Sequence, residues 1–251
     1  MLRATIVAAA CAASMAAHAQ QRPIAADALR SGIAYAGADI RAMQADDLAN
    51  PGFLWVQRGE ALFNENCTAC HRDAASMRGV AARYPAYDPS AKSVLDLEGR
   101  IEQCRTGRQH KPAFGRESDD LVSLATFVTH QSRGLPMSVS IDGPERESFE
   151  RGEAFYTQRH GQMNLACRHC HDQSYGKRLY TETISQGHGT AFPAYRLEWQ
   201  GQGSLQRRLR ACLFGVRAEM PKPGAPELTD LELYLAWRAN GLPIESPGVR
   251  R

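Results

Sequence analysis

Apolar residues recur with helical spacing in two distant stretches of the chain. Leu121, Leu124, Phe127 and Val128 stand at i, i+3, i+6 and i+7, the pattern of a helix with one buried face. Leu228, Leu231 and Tyr234 reproduce it near the C-terminal end. Both runs close on Gly-Leu-Pro, at Gly134–Pro136 and Gly241–Pro243. Glycine there accepts a left-handed cap and proline cannot continue the helix. Upstream, Arg58-Gly-Glu-Ala-Leu-Phe63 and Arg151-Gly-Glu-Ala-Phe-Tyr156 open two more amphipathic helices. Gly59 and Gly152 each precede an aromatic by four residues, which predicts a close crossing with the terminal helix of the same half. Thr229-Asp-Leu-Glu232 reads as a capping box that begins the last helix.

The two halves therefore match in order and in punctuation. Tyr84-Pro-Ala-Tyr87 corresponds to Phe192-Pro-Ala-Tyr195, and nineteen residues lead from each proline to a cysteine, Cys104 or Cys212. Equal offsets predict two copies of one mostly α fold. The predicted organisation is an N-terminal extension over 20–52, a first domain over 53–136, a linker over 137–147 and a second domain over 148–251. The linker lies in the Gly-, Pro- and Ser-rich stretch 133–146. Within the extension, Ala25–Arg30 reads as a short helix and Asn50-Pro-Gly52 as a turn.

Each half carries one Cys-x-x-Cys-His: Cys67-Thr-Ala-Cys70-His71 and Cys167-Arg-His-Cys170-His171. In this motif two thiols form thioethers with the vinyl groups of haem, and the adjacent histidine becomes an axial iron ligand. A zinc half-site or a redox dithiol would leave the following histidine unexplained twice over. The chain thus reads as a dihaem c-type cytochrome, with two tandem class I cytochrome c-like domains and two covalently bound haem c groups.

The first residues name a compartment. Met1-Leu-Arg3 is a positive n-region, Ala4–Ala16 a small apolar run, and Ala17-His18-Ala19 a cleavage site, so 1–19 reads as a signal peptide that removes Cys11. No later segment is apolar enough to span a bilayer. Export of a haem c protein points to the bacterial periplasm. The balance of 30 Lys+Arg against 27 Asp+Glu gives no sign of nucleic-acid binding.

Cys104 and Cys212 remain, at equal positions of the two halves. A disulfide between them, burial as small apolar residues, and ligation of the sixth position of each haem are all open readings. Met220-Pro221 offers the second haem a methionine, whereas the first half has Lys111-Pro112 at that place. His110, His169 and His188 do not repeat between halves.

The chain resembles the dihaem A subunits of the sulfur-oxidising (Sox) cytochromes, the L-cysteine S-thiosulfotransferases. The resemblance rests on both Cys-x-x-Cys-His motifs, Cys104, Arg-x-x-x-Cys-x-x-Gly-x-Arg at 208–217, Leu-Glu-Leu-Tyr-Leu-Ala-Trp at 231–237, and the ending Gly-Leu-Pro-Ile-Glu-Ser-Pro-Gly. It implies that His71 and Cys104 ligate the first iron and His171 and Cys212 the second. It further implies that Cys212 works as a persulfide and that Arg208 binds the substrate. The implied activity joins thiosulfate to a cysteine of a sulfur-carrier protein, with electrons passed through haem to a partner cytochrome. The implied partners are a small monohaem cytochrome c subunit (SoxX-like) in a heterodimer and a carrier with a C-terminal cysteine (SoxYZ-like). Rival readings are a dihaem electron carrier without substrate chemistry and a thiosulfate dehydrogenase that forms tetrathionate.

If 204–214 is helical, Arg208 lies one turn from Cys212 on the same face, where its guanidinium can fork two sulfonate oxygens. Arg210 then points elsewhere. Arg100 holds the same place before Cys104 and could clamp an anion at the first haem as well. The mass of the exported protein should equal that of residues 20–251 plus two haem groups. A mass with one haem, or none, contradicts the repeat.

Overall fold

The computed structural model describes residues 21–251; the predicted signal peptide, with Cys11, lies outside them. The helices are α1 (Ala38–Ala45), α2 (Phe53–Asn66), α3 (Leu97–Gln103), α4 (Asp119–His130), α5 (Arg146–Thr157), α6 (Cys167–His171), α7 (Leu205–Gly215) and α8 (Pro226–Arg238). The strands are short: β1 (Ala86–Asp88), β2 (Ser93–Leu95), β3 (Arg178–Leu179), β4 (Glu182–Thr183), β5 (Ala194–Arg196), β6 (Gly201–Gly203) and β7 (Gly248–Arg250).

Two helix pairs hold the cores. In the first, α2 packs on α4 around Val56, Phe63, Leu124, Phe127 and Val128. In the second, α5 packs on α8 around Phe149, Tyr156, Leu231, Tyr234 and Trp237. Both pairs cross at glycine. A Cβ on Gly59 would stand 2.1 Å from the Ser123 carbonyl oxygen, and one on Gly152 would stand 2.1 Å from that of Asp230. The crossings expected from Gly59 and Gly152 are present, and no larger residue fits at either.

Each half also holds a hairpin after a cis proline, Pro85 or Pro193. β1 pairs with β2 antiparallel and β5 with β6 antiparallel, in the same register: Asp88 faces Ser93 and Arg196 faces Gly201. The tight turns place Lys92 and Gln200 at positive φ, 53° and 49°. One residue past each hairpin, a polar side chain caps the next helix. Asp96 accepts the Gly99 N–H at 2.7 Å to start α3, and Ser204 accepts the Arg207 N–H at 3.0 Å to start α7.

Three expectations need correction. α8 starts at Pro226, with proline in its first turn, so Thr229 and Glu232 lie inside the helix and form no capping box. α5 starts at Arg146, inside the stretch expected to be linker, and Val139 and Ile141 bury themselves in the second core, so that stretch is packed rather than loose. In the extension, Ala26–Ala28 is a single 3₁₀ turn. The extension packs against the second half: Gln186 Nε2 donates to the Ala28 carbonyl at 3.0 Å, and the Val249 N–H donates to Gln44 Oε1 at 3.0 Å.

The halves meet across a buried polar cluster. Arg116 forks Asp96 at 2.5 and 2.8 Å, and Gln206 Nε2 on α7 donates to the same carboxylate at 2.9 Å. Ser204 donates to Glu117 at 2.5 Å. Glu98 and Glu232 line an adjacent cavity of about 110 Å³. Burial, with the charges of Asp96 and Glu117, pushes the Glu98 carboxyl from 4.5 up to about 8, against the pull of Arg116. Burial and the neighbouring acids likewise hold Glu232 well above the carboxylate range. A raised carboxyl binds its proton more tightly in the folded chain than in the unfolded one, so its contribution to stability falls as pH rises from the unfolded value towards the folded value. Between pH 6 and pH 8 the unfolding free energy should therefore drop by about 2 kcal/mol more in the wild type than in Glu98→Gln, measured by urea unfolding of the haem-loaded protein. Equal drops would contradict a raised Glu98.

Candidate active site at Cys212

The second Cys-x-x-Cys-His forms the whole of α6, a single turn that follows an extended Ala166. His169 turns back so that its Nδ1 accepts the Ala166 N–H at 2.9 Å, which occupies it as a local cap. His171 Nδ1 meets the Ser185 carbonyl oxygen at 2.8 Å. With a proton on Nδ1 this contact leaves Nε2 as the free lone pair, the form a metal-binding imidazole needs. Gly187, at φ 74°, lies against the ring: a Cβ there would come within 2.8 Å of His171 Cγ. Behind the motif, Tyr156 donates to Asp172 at 2.8 Å, and Arg238 pairs with the same carboxylate. Arg238 is 1% exposed and its guanidinium lies over the Tyr156 ring.

Cys212 comes to this place from α7, where it lies beside His171 and shares a helix face with Arg208 one turn earlier. Burial raises its thiol, but the Arg208 guanidinium and the neighbouring His171 and Arg196 more than reverse that, lowering it from 9.0 to about 7. The attachment cysteines go the opposite way. Burial and the nearby Cys212 push Cys167 up to about 12 and raise Cys170 too. The donor set fits haem c: two cysteine sulfurs on the single turn of α6, an imidazole held at Nδ1 by the Ser185 carbonyl, and the Cys212 sulfur facing it. Cys167 and Cys170 would hold the group, and His171 and Cys212 would ligate its iron.

In the first half, burial and the neighbouring Cys104 and Cys70 push Cys67 up to about 11, which places Cys104 with its own attachment motif. His71 packs beside the Phe63 ring, at 6.4 Å between centroids. Cys104 begins a π-helical turn over Cys104–Arg108. Among the described residues all six cysteines are unbridged, so the two spare cysteines do not form a disulfide. Met220 is 40% exposed, on a segment tied down by Arg210 Nε, which donates to the Pro221 carbonyl at 2.9 Å. His188 is buried, with its Nε2 3.2 Å from Gln186 Oε1.

Two residues at the second centre escaped sequence reasoning. Arg196 ends β5, is 8% exposed and donates from Nη2 to Glu198 at 2.7 Å. Its guanidinium stacks on Trp199 at 5.0 Å, and Arg207 lies over the same ring at 4.3 Å. Trp199 can fold back there because Gly203 has no side chain: a Cβ would meet the ring at 2.4 Å. Position in the repeat was the available signal, since Arg196 stands where the first half has Asp88.

A family model described as SoxA/TsdA, cytochrome c domain, matches residues 54–137. The L-cysteine S-thiosulfotransferase subunit SoxA of Pseudaminobacter salicylatoxidans is 39% identical over 88% of this chain and 80% of its own length. That of Rhodovulum sulfidophilum is 35% identical over 89% of this chain and 81% of its own. The crystal structure of SoxXA from P. pantotrophus superposes with a TM-score of 0.86 at 33% identity, covering 89% of this chain and 87% of the matched one. Sequence and fold agree along most of the length, and the chain belongs to the SoxA family of L-cysteine S-thiosulfotransferase subunits.

Proposed function

We propose that this chain is the dihaem catalytic subunit that joins thiosulfate to a cysteine of a sulfur-carrier protein, with Cys212 as the reacting sulfur. The observation that carries this reading is the meeting of His171, Cys212 and Arg208 at one point. A cysteine thiolate is nucleophilic, and a guanidinium one turn away matches a small dianion.

The Cys212 thiolate and the terminal sulfur of thiosulfate form one S–S bond, no bond breaks, and two electrons are released. The Cys212-bound group is then passed to the carrier thiolate, whose sulfur takes the place of Cys212 in the S–S bond. When bound, haem c would supply one-electron acceptance, so the two electrons leave one at a time and pass on to the partner cytochrome. Arg208 holds the sulfonate end and aims the terminal sulfur at Cys212. A standing persulfide on Cys212 would lengthen the reacting arm by one sulfur.

The fuller assignment has two haem c groups, one on Cys67 and Cys70 with His71 and Cys104 as axial ligands, the other on Cys167 and Cys170 with His171 and Cys212. The matching helix crossings, hairpins and helix caps support two copies of one cytochrome c-like fold, over 53–136 and 148–251. No helix among the described residues is long and apolar enough to cross a membrane, and the signal-peptide pattern over 1–19 supports export to the periplasm. The SoxXA relative supports a small cytochrome partner subunit.

In thiosulfate-dependent cytochrome reduction with the carrier present, Cys212→Ala should be inactive, while Cys104→Ala with its haem in place stays active. Arg208→Ala should lose about 2–4 kcal/mol of transition-state stabilisation, the worth of a charge-assisted bidentate contact and the charge left unpaired. Turnover in Cys212→Ala, or tetrathionate as the product in place of a modified carrier, would contradict the assignment. Met220→Ala should leave the near-infrared magnetic circular dichroism of both irons in the thiolate pattern. A methionine-type band that disappears in this variant would give the second iron to Met220.

A further inference from the structure

The two centres differ in charge at one pair of matching positions. In the first half, Arg100 stands one turn before Cys104 as Arg208 stands before Cys212. Its Nη1 donates to Asp88 Oδ2 at 2.6 Å, and Asp88, the last residue of β1, also accepts from Gln103, Ser90 and the Ala91 N–H. These hydrogen bonds and the Arg100 charge hold the Asp88 carboxyl well below the usual range. Arg100 is thus neutralised by a fully ionised partner. Two further cations near Cys67, Arg105 and Lys111, are tethered to Asn66 at 3.3 and 2.9 Å.

The second half has the reverse arrangement. The last residue of β5 is Arg196, in the register that Asp88 has in β1. It is buried, held by Glu198 through Nη2 alone, and its Nε has no hydrogen-bond partner. The Arg208 guanidinium forms no hydrogen bond or ion pair among the described residues and feels the Arg196 charge, as Cys212 does. The two guanidinium charges share one carboxylate, the largely exposed Glu198, so positive charge is left over for a bound dianion to offset. The Trp199 ring fixes the guanidinium plane, so little side-chain freedom is left to lose on binding.

We propose that Arg196 is a second anion-binding residue of the Cys212 centre, which with Arg208 forms a paired clamp for a dianionic sulfur substrate. The inference rests on Cys212 being the reacting sulfur. It adds that the difference between Asp88 and Arg196 directs the dianion to the second centre although both centres carry an arginine before their cysteine.

The test uses the haem-loaded protein with its partner cytochrome and carrier, and haem content as the check on folding. Arg196→Gln should raise the thiosulfate KM by about tenfold or more with a smaller effect on kcat, and should flatten the fall of kcat/KM with ionic strength. Arg196→Lys should recover most of the KM. Arg196→Asp, which copies the first half, should be worse than Arg196→Gln because it neutralises Arg208. Glu198→Gln changes an exposed side chain and should lower the KM by about twofold, which keeps the inference testable should the Arg196 variants fail to fold. Overturning results are a wild-type KM and salt slope in Arg196→Gln, equal losses in the Gln, Lys and Asp variants, or an unchanged or raised KM in Glu198→Gln. Cys212→Ala run alongside separates the two levels: turnover there defeats the reading of the site, whereas a dead Cys212→Ala with a wild-type Arg196→Gln defeats the clamp alone.

Discussion

A helix crossing with no room for a side chain sets the geometry of each half. Gly152 lies against the Asp230 carbonyl, and Gly59 against that of Ser123, at distances only a hydrogen can occupy. Close approach seats Tyr156 and Tyr234 ring to ring, 5.1 Å apart, with Arg238 over Tyr156. Tyr156 and Arg238 both hold Asp172, the residue directly after His171. The imidazole is therefore positioned from behind by a packed core, and from the front by the Ser185 carbonyl.

Cys212 arrives by a separate route, and the interface between the halves registers it. Ser204 caps α7 while donating to Glu117, and Gln206, two residues on, bonds Asp96, the cap of α3. Asp96 thus serves the helix that leads to Cys104 and fixes the helix that carries Cys212. The network leaves Glu98 and Glu232 buried beside it, with carboxyls that resist ionisation. The halves are held by directional hydrogen bonds, which fix the height of α7 more closely than apolar packing would.

Much of this was legible beforehand. The helical periods at Leu121 and Leu228, the glycines before Phe63 and Tyr156, and the equal spacing to Cys104 and Cys212 all carry long-range signals, and helices, crossings and cysteines follow from them. The hairpins did not show, because a three-residue strand such as Ala194–Arg196 is too short for alternation to register. Thr229 and Glu232 have the spacing of a capping box, but Pro226 already begins the last helix, and both residues turn inward. At the site, Arg208 was visible through its helical spacing from Cys212. Arg196 was not, since its approach to Cys212 depends on the β5–β6 turn and on Trp199 folding over Gly203. The pairing of Arg100 with Asp88 needed the fold too, because twelve residues separate them in the chain.

The central claim is that sulfur is joined at Cys212 and not at the matching Cys104. Peptide mapping of the haem-loaded protein, treated with thiosulfate under oxidising conditions without the carrier, tests it directly. The account predicts a thiol-reducible thiosulfate adduct on the peptide containing Cys212 and an unmodified Cys104 peptide. An adduct on Cys104 alone, in protein that still turns over, would contradict it.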